Sequence, residues 1–396
     1  MEKTVRGKQV LKMLKFGQLT FNKGELSLEN LLQGGQAFRW IYNENKNHYT
    51  TTMKVGDSDK YVVVILTQPS QTVLEFATVG NMCCLKSLGD HLADYLRLEV
   101  SVRDLHATHW IKRDSNFTSY SPQGVRMLAQ EPWETMISFI CSSNNNISRI
   151  TKMCHTLSRK YGEKIGKFDS MDYHSFPTSN DIKEKATETE LRELGFGYRA
   201  KYIIQTAEKL AIDKAQGGFL GDTEYLLYLN AHMTYEQMRE HLMSYSGVGP
   251  KVADCICLMG LRMDDVVPID VHIKRIAMRD YKFQAKKSDI KQLAEKYRDL
   301  PITRKKINLE LDLIRLMFLG KWGSFAGWAQ GMLFSKEVGK TSGATTSGEI
   351  KKRKLGDITE TSDVFEVKKE FKTEECIVES TMIEEGTQIS IKVESR

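Results

Sequence analysis

The apolar residues of this 396-residue chain change their spacing once, near Pro132, and that change divides the sequence into two kinds of structure. Before it, residues 38–42, 48–55 and 61–67 form short apolar or alternating runs bounded by Gly, Asn, Asp, Ser or Pro, which predicts strands. The run Tyr61-Val-Val-Val-Ile-Leu-Thr67 is β-branched and apolar, as a central strand would be. A helix over residues 81–97 fits beside such a sheet, giving an α+β domain built on an antiparallel sheet over residues 12–125. After Pro132 the spacing becomes helical: Ile147, Ile150, Cys154, Leu157 and Tyr161 share one face. Further helices are expected over residues 199–214, 235–244, 251–261 and 271–280, so residues 126–340 read as an all-helical domain.

The last segment differs from both. Residues 341–396 hold nine Lys or Arg against twelve Asp or Glu, so the body before them carries +9 although the whole chain carries +6. We read this tail as charged, without apolar periodicity and disordered. A positive body suits a polyanion such as DNA, although charge alone is a weak indication. The seven cysteines lack metal-site or redox spacing and are expected to be reduced thiols, with no metal and no cofactor. No apolar run approaches membrane-spanning length.

Chemistry concentrates at Leu242-Met-Ser-Tyr-Ser-Gly-Val-Gly-Pro-Lys251, where one helical pattern stops at two glycines and another begins at once. This spacing predicts a helix-hairpin-helix. Gly247 and Gly249 permit a tight turn, and the amides opening the next helix converge on one place, which suits a phosphate. Glycines alone would equally mark an ordinary αα-hairpin. Lys251 adds a lone cation at the head of an apolar helix, where burial and the helix dipole both favour a usable amine. The bland alternative is a solvated first-turn lysine. Nineteen residues on, Asp270 lies between Pro268 and an amphipathic helix. It is a natural N-cap, and a capping carboxylate with one oxygen free could also support positive charge developing on a sugar.

Six segments in order resemble the eukaryotic 8-oxoguanine DNA glycosylase/AP lyases of the helix-hairpin-helix superfamily. They are Gly35-Gln-Ala-Phe-Arg-Trp40, Phe139-Ile-Cys-Ser-Ser-Asn-Asn-Asn-Ile-Ser-Arg-Ile150, Gly195-Phe-Gly-Tyr-Arg-Ala200, the hairpin through Met259, Pro268-Ile-Asp-Val-His272 and Trp322-Gly-Ser-Phe-Ala-Gly-Trp-Ala-Gln330. The resemblance implies that Lys251 attacks the sugar C1′ and forms a Schiff base, with Asp270 supporting it and His272 near a flanking phosphate. It implies that the flipped base enters a pocket where the Gly35 carbonyl accepts the N7–H found only in the oxidised base. Pro268 and Asp270 would line that pocket, Gln330 would bond the Watson–Crick edge, and Cys255 and Phe334 would sandwich the ring. On the other strand it assigns Asn144 to the vacated stack and Arg149, Tyr198 and Arg199 to the orphaned cytosine. The expected partner is double-stranded DNA carrying 8-oxoguanine, bound by a monomer without a membrane. The expected location is the nucleus, with mitochondria as a second compartment, and Lys351-Lys-Arg-Lys354 is a candidate nuclear signal.

Three other classes compete. Alkylation-repair glycosylases share the layout but generally lack the hairpin lysine. The endonuclease-III-like branch keeps the lysine but carries a four-cysteine cluster, whereas Cys376 stands alone beyond Cys257. A hairpin module that only grips DNA would not need Lys251, Asp270 and Gln330 together.

Overall fold

The computed structural model describes residues 14–56, 60–79, 83–120, 124–343, 381–384 and 387–394. The Lys351–Lys354 cluster and most of the tail lie outside them. The first domain is an antiparallel sheet. Its strands β1 (Phe16–Thr20), β2 (Ile41–Asn43), β3 (His48–Lys54), β4 (Tyr61–Ser70) and β5 (Val73–Val79) lie in the order β2-β3-β4-β5-β1. Strand β2 begins three residues later than expected, because residues 38–40 leave the sheet direction and pack inward: Phe38 is buried in the core of the second domain.

Strand β4 is buried on both faces, and this explains its continuous apolar run. Val62, Val64 and Leu66 pack with Leu19, Leu74 and Phe76 under the helices α1 (Leu28–Leu32) and α2 (Leu85–Tyr95). Val63 and Ile65 face the other way, onto Phe168 and Tyr173. Those two belong to a β-hairpin, β6 (Lys164–Phe168) and β7 (Met171–His174), which interrupts a domain expected to be all helical. Burying both faces of a strand removes several apolar side chains from water at once, each worth about 1.5–3 kcal/mol.

The remainder of the second domain is helical. Its principal helices are α3 (Pro132–Ser142), α4 (Ile147–Tyr161), α5 (Arg199–Gln216), α6 (Tyr235–Met243), α7 (Pro250–Cys255, continued by a π turn over Ile256–Gly260), α8 (Val271–Asp280), α9 (Pro301–Lys306), α10 (Leu309–Trp322) and α11 (Ala326–Gly343). Side-chain caps mark several starts, including Asn146 before α4, Thr234 in a capping box before α6, and Asp270 before α8. Behind the hairpin, Arg239, Asp254, Asp312 and Arg315 form a buried ion network that joins α6, α7 and α10.

Two polar clamps fix the sheet domain against the helices. Arg39 grips Glu134 of α3 with Nε and Nη2 at 2.8 and 2.7 Å. Arg97 reaches both carboxylate oxygens of Asp264 at 3.1 Å, and Trp328 Nε1 donates to the same carboxylate at 2.8 Å.

In the tail, Thr381–Glu384 and Thr387–Glu394 are strands β8 and β9, with β9 antiparallel to β1. Ile389, Ile391 and Val393 alternate with polar residues, which is the period of a strand.

Candidate functional site

A cleft of about 3280 Å³ runs between the sheet domain and the hairpin. Its wall includes Gly35, Asn144, Tyr198, Gly247, Gly249, Lys251, Asp270, His272 and Phe334, residues drawn from five of the six matched segments, with Phe334 four residues beyond the sixth. The hairpin turn depends on its first glycine. Gly247 has φ +77°, and a Cβ there would come within 2.8 Å of Tyr202. At Gly249 a Cβ would meet nothing within 4 Å, so the backbone faces open space. Gly249 is also the N-cap of α7 and supplies no side-chain cap, leaving the first-turn amides of that helix for an incoming acceptor.

Lys251 follows directly. Its Nζ lies 4.8 Å from the centroid of the Phe139 ring and 3.5 Å from Ser142 Oγ, both on α3. Phe139 in turn meets Phe38 edge-on, with ring centroids 5.7 Å apart. The Gly35–Trp40 segment therefore supports the platform on which the ammonium rests. Asp270 caps α8 through Oδ1, which accepts from His272 N and Ile273 N, both at 2.9 Å. Oδ2 has no hydrogen-bond partner among the described residues. Burial pushes the Cys255 thiol up to about 11; the Lys251 ammonium opposes this, and Asp254 and Asp270 add to it. Lys251 and Asp270 line the same cleft.

Not every expected pocket residue reaches the cleft surface. Cys255, Pro268 and Gln330 are buried, Gln330 one helical turn before Phe334 on α11. Phe334 lines the cleft and packs edge-on against His272 at 5.7 Å. Gly35 has φ +83° and is held by its neighbour. The buried Gln36 donates to Arg126 O at 2.8 Å and accepts from Leu128 N at 3.2 Å. Sequence reasoning gave Gln36 no role of its own; its place next to Gly35 in a matched motif was the available signal.

At the far rim Asn144 sits at φ +48°, at the turn between α3 and α4. Its carbonyl accepts from Arg199 Nη2 at 3.0 Å, while Ser143 O accepts from Arg199 Nε at 3.1 Å and Tyr198 OH at 2.9 Å. Arg199 is buried, so it holds the turn rather than standing open to a base. Arg149 is exposed, tethered by Nη2 to Gly195 O at 2.9 Å, and Tyr198 is exposed above the Arg199 guanidinium. Among the described residues no group of His, Cys, Asp and Glu could hold a metal ion, and no helix is long and apolar enough to cross a membrane.

Comparisons with known proteins bear on this arrangement. Residues 18–136 match the family described as 8-oxoguanine DNA glycosylase, N-terminal domain. Residues 137–299 match the HhH-GPD superfamily of base excision DNA repair proteins. An N-glycosylase/DNA lyase of Saccharomyces cerevisiae is 58% identical over 361 residues, covering 91% of this chain and 96% of the relative. An N-glycosylase/DNA lyase of Arabidopsis thaliana is 33% identical over 327 residues, covering 82% and 80%. Among solved structures, the Clostridium acetobutylicum 8-oxoguanine glycosylase/lyase, bound to double-stranded DNA with cytosine opposite 8-oxoguanine, superposes with a TM-score of 0.62 at 25% identity. It covers 83% of this chain and 98% of that one. With both domains matched in order and a relative of this identity along nearly the whole chain, the protein belongs to the 8-oxoguanine N-glycosylase/DNA lyase family.

Proposed function

We propose that the chain excises 8-oxoguanine from duplex DNA, preferentially opposite cytosine, and then cleaves the strand at the resulting site. The observation that carries this reading is the convergence of the Lys251 amine and the Asp270 carboxylate on one cleft, beside a helix start whose amides are uncapped. Lys251 Nζ forms a bond to C1′ of the flipped nucleotide as the bond from C1′ to the base breaks; the base leaves with the electron pair and takes up a proton. The free Asp270 oxygen stabilises the positive charge that develops on the sugar. Opening of the ring gives an imine on Lys251. Loss of a C2′ proton then expels the 3′ phosphate and breaks the strand.

Selectivity for the oxidised base rests on the Gly35 carbonyl. It accepts the N7–H of 8-oxoguanine, whereas the N7 lone pair of guanine would face it acceptor to acceptor, a mismatch worth about 1–3 kcal/mol. Phe334 and Cys255 would flank the ring and Gln330 would bond its Watson–Crick edge, with Pro268 at the wall. Because Gln330 and Cys255 are buried without a base present, the pocket opens by local side-chain movement when the base enters. Asn144 occupies the gap, and Arg149 with Tyr198 addresses the unpaired cytosine. We place the protein in the nucleus, directed by Lys351-Lys-Arg-Lys354, with mitochondria as a second compartment. The test is incubation with duplexes carrying 8-oxoguanine opposite each of the four bases. Fastest strand cleavage opposite cytosine supports the reading, and equal processing of unmodified guanine overturns it.

A further inference from the structure

The hairpin that offers its amides to DNA has a second side, made of carbonyls. At the end of α6 and in the turn these oxygens have lost their helical partners and need donors. Two find them nearby: Ser246 O accepts from Thr206 Oγ1 at 2.8 Å, and Tyr245 O accepts from Val248 N at 3.3 Å. Met243 O and Val248 O find a charge instead. Lys306 Nζ donates to both, at 2.5 and 3.2 Å.

Lys306 is delivered there by a short brace. Helix α9 is capped at its start by Glu240 of α6, whose carboxylate accepts from Ile302 N at 2.8 Å and Thr303 N at 2.7 Å. At its other end Lys306 returns to the end of α6. Residues three apart on α6, Glu240 and Met243, therefore hold the two ends of one six-residue helix. A cation at a helix C-terminus is favoured by the dipole, and one that bridges α6 to the turn fixes the turn as well. Lys306 lines the same cleft as Gly247, Gly249 and Lys251.

We propose that the Lys306 ammonium is the built-in cation of the hairpin, binding its carbonyl side so that its amide side is shaped for a DNA phosphate without a metal ion. Lys306 is a positioning residue in this account, acting through the turn. The inference rests on the reading of the hairpin as a phosphate grip and adds that the grip carries its own positive charge. A metal ion would be the alternative occupant of the same carbonyls, so removing the ammonium should create a cation requirement that the natural chain lacks.

The test measures affinity for a duplex with a tetrahydrofuran abasic analogue opposite cytosine. Buffers hold ionic strength constant with tetramethylammonium, with a chelator alone or with potassium or magnesium chloride added. The wild type is expected to bind equally in all three, within about twofold. Lys306→Met, which keeps most of the stem and removes the charge, is expected to lose about tenfold without metal and to recover when potassium or magnesium is present. Lys306→Met binding at wild-type strength without metal overturns the inference. So does a loss that neither cation restores, which is the behaviour of a lysine touching phosphate directly or supporting the fold only. The wild-type arm decides alone if the variant does not fold, because wild-type affinity that collapses on withdrawal of both cations contradicts a built-in charge. Borohydride trapping by Lys251 in the same preparations separates failure of this inference from failure of the glycosylase reading.

Discussion

The Lys251 ammonium rests on the face of Phe139, 4.8 Å from the ring centroid, while Phe38 meets that ring edge-on. An aromatic face attracts a cation by roughly 0.5–2 kcal/mol, depending on desolvation, and it leaves the nitrogen lone pair unclaimed by a carboxylate once the proton departs. Phe139→Leu retains apolar volume and removes the quadrupole. We expect single-turnover excision to slow by about tenfold, with a small change in melting temperature. Unchanged excision would mean that the ring is packing only.

Arg149 and Arg199 were expected to share one task, and the structure separates them. Arg149→Ala should reduce the preference for cytosine opposite the lesion by about 1–3 kcal/mol while leaving excision from the preferred duplex less affected. The readout is the ratio of excision rates opposite cytosine and adenine. Arg199→Met should instead release the carbonyls of Ser143 and Asn144, costing about 1–3 kcal/mol of stability. A stable Arg199→Met protein with altered base preference would restore the shared role.

Asp312 supplies an acid-sensitive component of stability. Burial pushes its carboxyl up, but the charge of Arg239 and the hydrogen bond and charge of Arg315 overcome this and bring it down to about 2. Since the folded value lies below the ordinary 3.8, the contribution is complete above pH 4 and is lost as pH falls toward 2. It amounts to about 2 kcal/mol. Asp254, pushed up by burial within the same network, works in the opposite sense. Asp312→Asn should therefore lower stability at pH 7 and flatten its decline between pH 4 and pH 2, measured by urea unfolding. An unaltered pH profile would remove Asp312 from that role.

Deleting residues 344–396 should leave excision intact, because the matched segments and the cleft wall end before them. The truncation frees the β1 edge that β9 covers, so a modest loss in melting temperature is compatible with full activity. A drop in excision of more than about tenfold in a folded truncation would place catalytic support in the tail.

Where local pattern and tertiary environment agree, the sequence was sufficient. Helix α8 begins and ends where its amphipathic spacing and the Asp270 cap put it, and the hairpin glycines lie at the turn they imply. The hairpin β6–β7 was not legible, because its short strands mix Lys, Asp and Gly with a few apolar residues. It is ordered by Phe168 and Tyr173 packing onto Val63 and Ile65, about a hundred residues earlier in the chain. The same holds within the site. Spacing identified Lys251 and Asp270 separately, but only the fold brings both to one cleft. Burial of Arg199 and the reach of Lys306 to α6 likewise depend on how helices pack, which no single-helix pattern contains.

The central claim is that Lys251 is the amine that attacks C1′, and reduction of the resulting imine tests it most directly. With wild-type protein and an 8-oxoguanine duplex, borohydride should fix a protein–DNA crosslink that peptide mapping assigns to Lys251. Lys251→Gln should yield neither crosslink nor excision while still binding the lesion duplex, whereas Asp270→Asn should slow excision by roughly a hundredfold and keep some crosslinking. A crosslink that persists at wild-type yield in Lys251→Gln would contradict the account and assign the nucleophile to another residue.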